Sequence, residues 1–426
     1  MAWKKTKLKD LGWLRSAGVN KLSEANQKEV RLLNYMDVYR NQKISNEIDF
    51  QIVTAKDSEI KNANLEVGDI LFTPSSEKPT DIGHAGIVIE ELPNTVYSYH
   101  LVRFRPDEPN KFNPHFLAYA LNSFECEKHF ITRATGTTRY TLSKSDFKSL
   151  EFEYPENPAE QTAIATLLSK VDEAIAATQN SIKAAEKLKK ALMQNLLTGK
   201  LKPDGSWRTE DEFYEDEKFG KVPLGWILGK VKKVIKLKNG KGNTTSNLES
   251  EPDSEYNIPV FGGNGITGYY HTPLLTEPTL IIGRVGEYCG NVFLTPEKSW
   301  VTDNAMLVEK FLIEDYSLEF FKYKFNTLNF IYYSDTTGQP KLTQGSIGSI
   351  SFIYPESKIE QTEIADKINS VELKITEKQT KIQTLQRLKK SLMQNLLTGK
   401  VRLPQEFIAQ FEEAVEEVNK KTVTVQ

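Results

Sequence analysis

Gly263, Gly265 and Gly268 stand at the G-x-G-x-x-G spacing that lets a backbone approach a dinucleotide pyrophosphate. That chemistry needs a helix to open at the third glycine, and Tyr269-Tyr270-His271-Thr272-Pro273 follows instead. A glycine-rich loop in a β-domain is the better reading. Thr198-Gly199-Lys200 and Thr398-Gly399-Lys400 resemble the end of a phosphate-binding loop. They lack its upstream glycine and its following Ser or Thr, and they close helical patterns where a phosphate loop opens one. The five histidines, His84, His100, His115, His129 and His271, form no i,i+4 pair and no His-Glu-x-x-His, so no metal site is assigned. No two prolines are adjacent, which removes the Asn- or Asp-Pro-Pro-aromatic element of amino-methyltransferases. No catalytic residue is assigned.

Binding chemistry is better represented. Loops in both halves mix small polar side chains with isolated basic ones, the types that reach phosphates and base edges. In the first half these are Ser75, Ser76 and Lys78, with Asp81 and His84, then Arg133 and Arg139. In the second they are Lys241 and Asn243, Asn264 and Tyr269, Arg284, then Gln339 and Lys341. Any one of them is most simply explained as a polar residue on an exposed loop; it is the set that favours binding. Arg284 stands out because Ile281-Ile282 precedes it and Gly283 and Gly286 flank it. A tight loop would project its guanidinium, which can pair bidentately with guanine. A structural ion pair is the competing use.

The elements that position these loops come from a sentence written twice. Leu188 to Lys200 reads LKKALMQNLLTGK and Leu388 to Lys400 reads LKKSLMQNLLTGK, twelve of thirteen positions identical at an offset of 200 residues. Tyr154-Pro155-Glu156 and Glu160-Gln161-Thr162 repeat at the same offset. The chain is therefore a tandem duplication. Asn157 and Ser357 are N-caps with Glu160 and Glu360 three residues on, and Gly199 and Gly399 are C-caps. Between them Ile164, Leu168, Val171, Ile175, Thr178 and Ile182 recur in steps of four and three, as do Ile364, Ile368, Val371, Ile375, Lys378 and Ile382. That is a coiled-coil seam. Each helix is expected to be roughly 60 Å long, too long to stand alone, so the two should pair. A slack linker favours antiparallel pairing.

The boundaries read as a first β-rich domain over 1–156, a helix over 157–199 and an acidic linker over 200–221. A second β-rich domain follows over 222–356, then a helix over 357–399 and an amphipathic tail over 400–426. In the first domain, strands are expected at 30–35, 48–53, 69–72, 86–90 and 97–103, with a helix at 114–121. Leu224-Gly225-Trp226 echoes Leu11-Gly12-Trp13 and marks the restart. The tail stripe is Phe407, Phe411, Val415 and Val418. The fold class is α+β: two β-rich domains and two long helices in an antiparallel coiled coil with pseudo-two-fold symmetry.

Net charge is −2, so any nucleic acid must be met by local patches or jointly with a partner. There is no apolar run of membrane-spanning length and no signal-peptide core. Cys126 and Cys289 fit no paired ligand spacing, and the expected location is cytoplasmic. Basic bands recur at Lys187, Lys189 and Lys190 and at Arg387, Lys389 and Lys390. Near-identity of this surface between diverged halves suggests two copies of one partner, docked at Lys189, Lys190, Gln194 and Asn195 and at Lys389, Lys390, Gln394 and Asn395.

Two diverged β-rich domains, each followed by a helix ending in LMQNLLTGK, resemble the specificity subunit of type I restriction–modification systems. LEVGDILF at Leu65 to Phe72, Thr135-Gly136, GGNGITGY, and WVTDNA at Trp300 to Ala305 add to the likeness, which spans the chain. The resemblance implies a non-catalytic subunit. Its two target recognition domains would each read half of a split, asymmetric double-stranded DNA site, and its helices would set the gap. It implies docking of two methyltransferase subunits that bind S-adenosylmethionine. Two restriction/translocase subunits that use ATP and Mg would join them, with no cofactor on this chain and no membrane. The competing readings are an enzyme in its own right, such as a nuclease or methyltransferase, a specificity subunit of a methyltransferase-only system, and a coiled-coil scaffold without DNA.

Overall fold

The computed structural model describes residues 3–108, 111–242, 247–335 and 338–413. Compactness divides the chain into two units that do not follow its halves. One holds Met1–Gln179 with Thr380–Gln426, and the other holds Asn180–Gln379. The long helices run Pro158–Leu196 and Lys358–Leu396. Each unit therefore contains the opening part of one long helix and the closing part of the other.

In the first unit a five-stranded sheet runs in the order Gly12–Arg15, Val102–Pro106, Ile70–Phe72, Ala85–Val88, Lys43–Ile44. Its neighbours are antiparallel except the last pair. Ile70–Phe72 is buried on both faces, so its sequence is a continuous apolar run without alternation. A second sheet orders Gln51–Ala55, Lys28–Leu33, Thr95–Tyr97. The expected strand at 97–103 is two strands, parted by a turn at 98–101, and Tyr35 opens a helix, Tyr35–Arg40, instead of closing a strand. The expected helix appears as Pro114–Ala120, capped by the Asn113 side chain.

The second unit has a four-stranded sheet, Ile235–Asn239, Ala305–Phe311, Leu280–Gly283, Val292–Leu294, and a three-stranded one, Gly265–Tyr270, Ile258–Gly262, Trp300–Val301. The G-x-G-x-x-G glycines lie at the turn and second strand of a β-hairpin in which Gly262 faces Gly265. In each unit a two-strand ladder leads into the long helix. Trp3–Lys7 pairs with Glu151–Pro155, and Trp226–Lys230 pairs with Ser351–Pro355. Trp3 faces Pro155 as Trp226 faces Pro355. The counterpart of Trp226 is thus Trp3. The Leu-Gly-Trp echo aligned it with Trp13, which instead faces Arg105 in the five-stranded sheet. A three-letter likeness was outweighed by ladder register.

The repeated Glu-Gln-Thr fastens each helix to its own domain. Gln161, fully buried, accepts from Asn113 N (2.8 Å) and donates to Pro155 O (3.0 Å). Gln361 does the same with Ser317 N (2.9 Å) and Pro355 O (2.9 Å). Glu160 accepts from Trp3 Nε1 (3.3 Å) and from Arg402 (2.6 Å), and Glu360 accepts from Trp226 Nε1 (3.0 Å) and Arg208 (2.7 Å).

Within the first unit Ile164 and Leu168 share a core with Leu396 and Leu397. Within the second Ile364 and Ile368 share one with Leu196 and Leu197. Burying each such side chain stabilises by about 1.5–3 kcal/mol. Glu160 meets Arg402 while Asp172 meets Lys389 (2.6 Å), so the two helix parts run antiparallel. Val171, Val371 and Ile375 are buried; Ile175, Ile182 and Ile382 are half-buried. Gly199 and Gly399 end the helices at φ +72° and +65°. Beyond the second helix Ile408 packs on Ala159 and Ala163, flanked by Phe407 and Phe411. Val415 and Val418 lie outside the described residues. No helix among the described residues is long and apolar enough to cross a membrane.

Candidate functional site

Each unit brings together the same two loops. One leaves the third strand of its larger sheet, Ile70–Phe72 or Leu280–Gly283, and the other precedes the short helix before its last strand. In the first unit Ser75–Ser76 pairs with Tyr140–Thr141, and Leu142 N donates to Pro74 O (2.9 Å). In the second Val285 bridges Lys341, and Leu342 N donates to Arg284 O (2.8 Å). The frame is the same and the side chains on it differ.

In the first unit Arg139 reaches the Ser75 hydroxyl with Nη2 (3.2 Å). His84 Nε2 lies 2.8 Å from Asp81 Oδ1, and the Tyr39 hydroxyl donates to Asp81 Oδ2 (3.0 Å). The Tyr39 and His84 rings meet edge to face at 4.9 Å. Tyr35 OH donates to Ser75 O (2.7 Å). Ser75, Ser76, His84 and Arg139 therefore form one surface, with Lys78 exposed beside it. Arg133 does not join this network through any bond described: its Nη1 donates to His129 O (3.1 Å) at the end of its own helix. The tyrosines were missed because 30–35 reads as a strand; their i,i+4 spacing after a capping Asn34 was the available signal.

In the second unit Arg284, Gln339 and Lys341 converge. Arg284 N donates to Asn304 O (2.9 Å) and its Nη1 to Asp303 O (3.2 Å). No carboxylate engages it among the described residues, and most of its donors stay available. A Cβ on Gly286 would lie 3.5 Å from Gln339 Nε2. The hairpin tip carrying Asn264 presses on the same loop. A Cβ on Gly263 would lie 2.8 Å from Val285 O, and one on Gly283 would lie 2.4 Å from Gly263 O. Only glycine permits that approach, so glycine content here is packing and not phosphate chemistry. Lys241 holds a neighbouring position: its carbonyl accepts from Trp300 Nε1 (3.0 Å) and its ammonium lies 5.8 Å from that ring. Tyr269 is half-buried and held by Glu249 O through its backbone. Asn243 lies outside the described residues. Among those residues no group of three or more His, Cys, Asp or Glu could hold a metal ion.

A second constellation was not visible in sequence. In the first unit Tyr119 OH donates to Asp172 Oδ2 (2.7 Å), while Lys389 pairs with Asp172 Oδ1 (2.6 Å). In the second, Tyr323 and Lys189 both engage Glu372. Each clamp joins three elements: a helix of the β-rich domain, the long helix that follows it, and the other long helix. Burial and then the Glu372 hydrogen bond push the Tyr323 hydroxyl well above its usual range. Burial works to raise the Glu372 carboxyl, but bonds from Lys189 and Tyr323 outweigh it and hold it low.

Lys189 and Lys389, expected on a docking surface, are thus engaged inside the units. Lys190, Gln194, Lys390 and Gln394 are exposed. Asn195 and Asn395 are half-buried, and each returns its amide to its own helix, at Ala191 O (2.9 Å) and Ser391 O (2.8 Å).

The family described as "Type I restriction modification DNA specificity domain" matches residues 2–187 and again 223–387. The putative type I restriction enzyme MjaX specificity subunit of Methanocaldococcus jannaschii is 25% identical over 372 residues, covering 82% of each chain. The type I restriction enzyme EcoprrI specificity subunit of Escherichia coli is 29% identical over 167 residues, 39% of this chain and 40% of that one. Among solved structures, the type I restriction–modification S subunit from M. genitalium aligns with a TM-score of 0.58 at 18% identity. It covers 93% of this chain and 96% of its own.

Proposed function

Because this chain belongs to the type I restriction–modification DNA specificity family, with both of its repeats matched, we propose that its two units read the two halves of a bipartite, asymmetric duplex DNA site. One observation carries this reading. The frame repeats down to single hydrogen bonds (Gln161 and Gln361, Leu142 and Leu342), while the paired loop positions carry unlike side chains, Ser75 and Thr141 in one unit and Val285 and Lys341 in the other. Ser75, His84 and Arg139 face one half-site; Arg284, Gln339 and Lys341 face the other. Unlike readers on like frames give an unsymmetrical target.

The chain supplies recognition and positioning, and chemistry comes from its partners. Two methyltransferase subunits, which hold S-adenosylmethionine, dock on the twice-written helix surface at Lys190, Gln194, Lys390 and Gln394. Two restriction/translocase subunits, which use ATP and Mg, complete the complex. The long helices fix the unread gap between the half-sites.

The test is Arg284→Ala in the complex with the methyltransferase, with methylated adenines mapped across the host genome. One half of the modified sequence is expected to relax while the other half and complex assembly persist. A missing arginine–guanine pair costs about 1–3 kcal/mol of discrimination. Unchanged methylation would remove Arg284 from the reading surface.

A further inference from the structure

Each helix clamp gathers two lysines about one bonded carboxylate. In the first unit both oxygens of Asp172 are taken, Oδ1 by Lys389 (2.6 Å) and Oδ2 by Tyr119 (2.7 Å). Lys43 nevertheless stands in the same cluster. Its Nζ donates to Ser169 Oγ (2.8 Å) and Tyr119 OH (3.2 Å), both uncharged, and lies 4.9 Å from the Tyr119 ring centre. In the second unit Glu372 already has Lys189 and Tyr323, and Lys322 approaches its Oε2 at 3.3 Å as well. Each cluster thus sets two ammonium groups about one bonded carboxylate, with Glu173 acting on Lys43 and Glu319 on Tyr323 from farther off; Lys322 is ion-paired with Glu372, whereas the bonds of Lys43 go to Ser169 and Tyr119.

The second lysine reaches the two clusters from unlike places. Lys43 lies on strand Lys43–Ile44, at the edge of the five-stranded sheet. Lys322 lies on helix Leu318–Thr327, one residue before Tyr323. The position equivalent to Lys322 in the first unit precedes Tyr119 and is Ala118, which is buried. Duplication therefore did not copy this charge; it arises separately in each unit. Joining the helices requires one cation per carboxylate, and a second like charge nearby opposes folding. Burial lowers the Lys43 pKa, with Lys389 acting the same way and Asp172 and Glu173 opposing it.

A place for an anion is open beside Lys43. A cleft of about 430 Å³ is lined by Arg40, Lys43, His84, Asn122, Asp172 and Lys389. His84 and Tyr39 belong both to this cleft and to the Ser75–Arg139 surface. Arg40 is exposed, and its charge acts on the Asp37 carboxyl. A strand whose bases meet the loops would carry its phosphates past these cations.

We propose that Lys43 in the first unit binds a backbone phosphate of the DNA, adding affinity without sequence preference where that domain meets the helices. The proposal rests on the DNA-reading assignment above. It adds a phosphate contact at the first unit's helix clamp, whose Lys389 the sequence placed with protein docking.

The test uses the assembled subunit–methyltransferase complex and fluorescence anisotropy over a salt series, on a duplex carrying the mapped site and on a random duplex. Lys43→Gln keeps a hydrogen-bonding side chain and removes the charge. Each phosphate lost lowers the slope of log K against log salt by about 0.9, so Lys43→Gln is expected to lose about 0.9, alike on both duplexes. Lys43→Arg should restore the slope, and the chain's melting temperature should hold or rise. An unchanged slope in a folded, assembled complex overturns the proposal. Failure to retain the methyltransferase also overturns it, since Lys43 would then meet an acidic protein partner. If the unaltered complex shows no affinity for duplex DNA beyond that of the methyltransferase alone, the DNA-reading assignment itself falls.

Discussion

Replacing Gly199 with alanine tests how the twice-written ending works. Gly199 ends the first long helix at φ +72°, a conformation that costs an alanine about 1–2 kcal/mol. An added Cβ would also lie 2.3 Å from Pro223 Cγ and 3.1 Å from the Trp226 ring. Overpacking at such a contact costs about 1–3 kcal/mol. Stiffening of the unfolded chain returns about 0.4–1 kcal/mol. The net loss is about 2–4 kcal/mol, which for a unit of this size lowers the melting temperature by roughly 5–15 °C. Gly205 is the internal control: φ is +96° but nothing lies within 4 Å of its Cβ, so Gly205→Ala should lose only the backbone term of about 1 kcal/mol. Gly399→Ala meets the Trp3 ring at 2.9 Å and should fall between the two. Thermal unfolding followed by tryptophan fluorescence reports the order directly, because Trp226 and Trp3 lie at the altered glycines. Equal losses for Gly199→Ala and Gly205→Ala would refute the packing role and leave the glycines as simple caps.

Adding one heptad between Gln179 and Asn180 and another between Gln379 and Thr380 keeps the seam in phase and lengthens each helix by about 10 Å. If the helices set the gap in the DNA site, that gap should grow by about three base-pair steps of about 3.4 Å each; methylome mapping that finds it unchanged would end the ruler reading. Lys324 is buried, donates to Leu197 O (2.7 Å), and burial pushes its ammonium from 10.5 down to about 7. From about pH 7 to 10.5 the unfolded chain holds a proton the folded chain has released, so this group makes stability rise with pH across that window. Lys324→Met should remove that rise, and parallel melting profiles for the two proteins between pH 7 and 9 would count against it. Tyr323→Phe removes the hydroxyl that engages Glu372 and Asn369 and should cost about 1–3 kcal/mol by urea unfolding; no change would mean the clamp adds nothing to stability.

The duplication, the two long helices, the glycines that end them and the β-rich character of both domains were legible in the residues alone. These are local or periodic properties: an offset of 200, a three-and-four step, a glycine where a helix must stop. The loop pair was legible in part, because Arg284, Gln339 and Lys341 carry their chemistry in their types. What tertiary structure decided was partnership. Trp226 answers to Trp3 and not Trp13 because strand register sets equivalence, and three matching letters do not. Lys189 and Lys389 look like exposed helix charges until the antiparallel partner brings Glu372 and Asp172 to them from 183 and 217 positions away in sequence. Tyr35, Tyr39, Tyr119 and Tyr323 gain their roles only where separate elements cross. A sequence states which groups a chain owns and how each short stretch prefers to fold. Which of those groups share one small volume depends on packing between elements distant along the chain, and no local pattern records it.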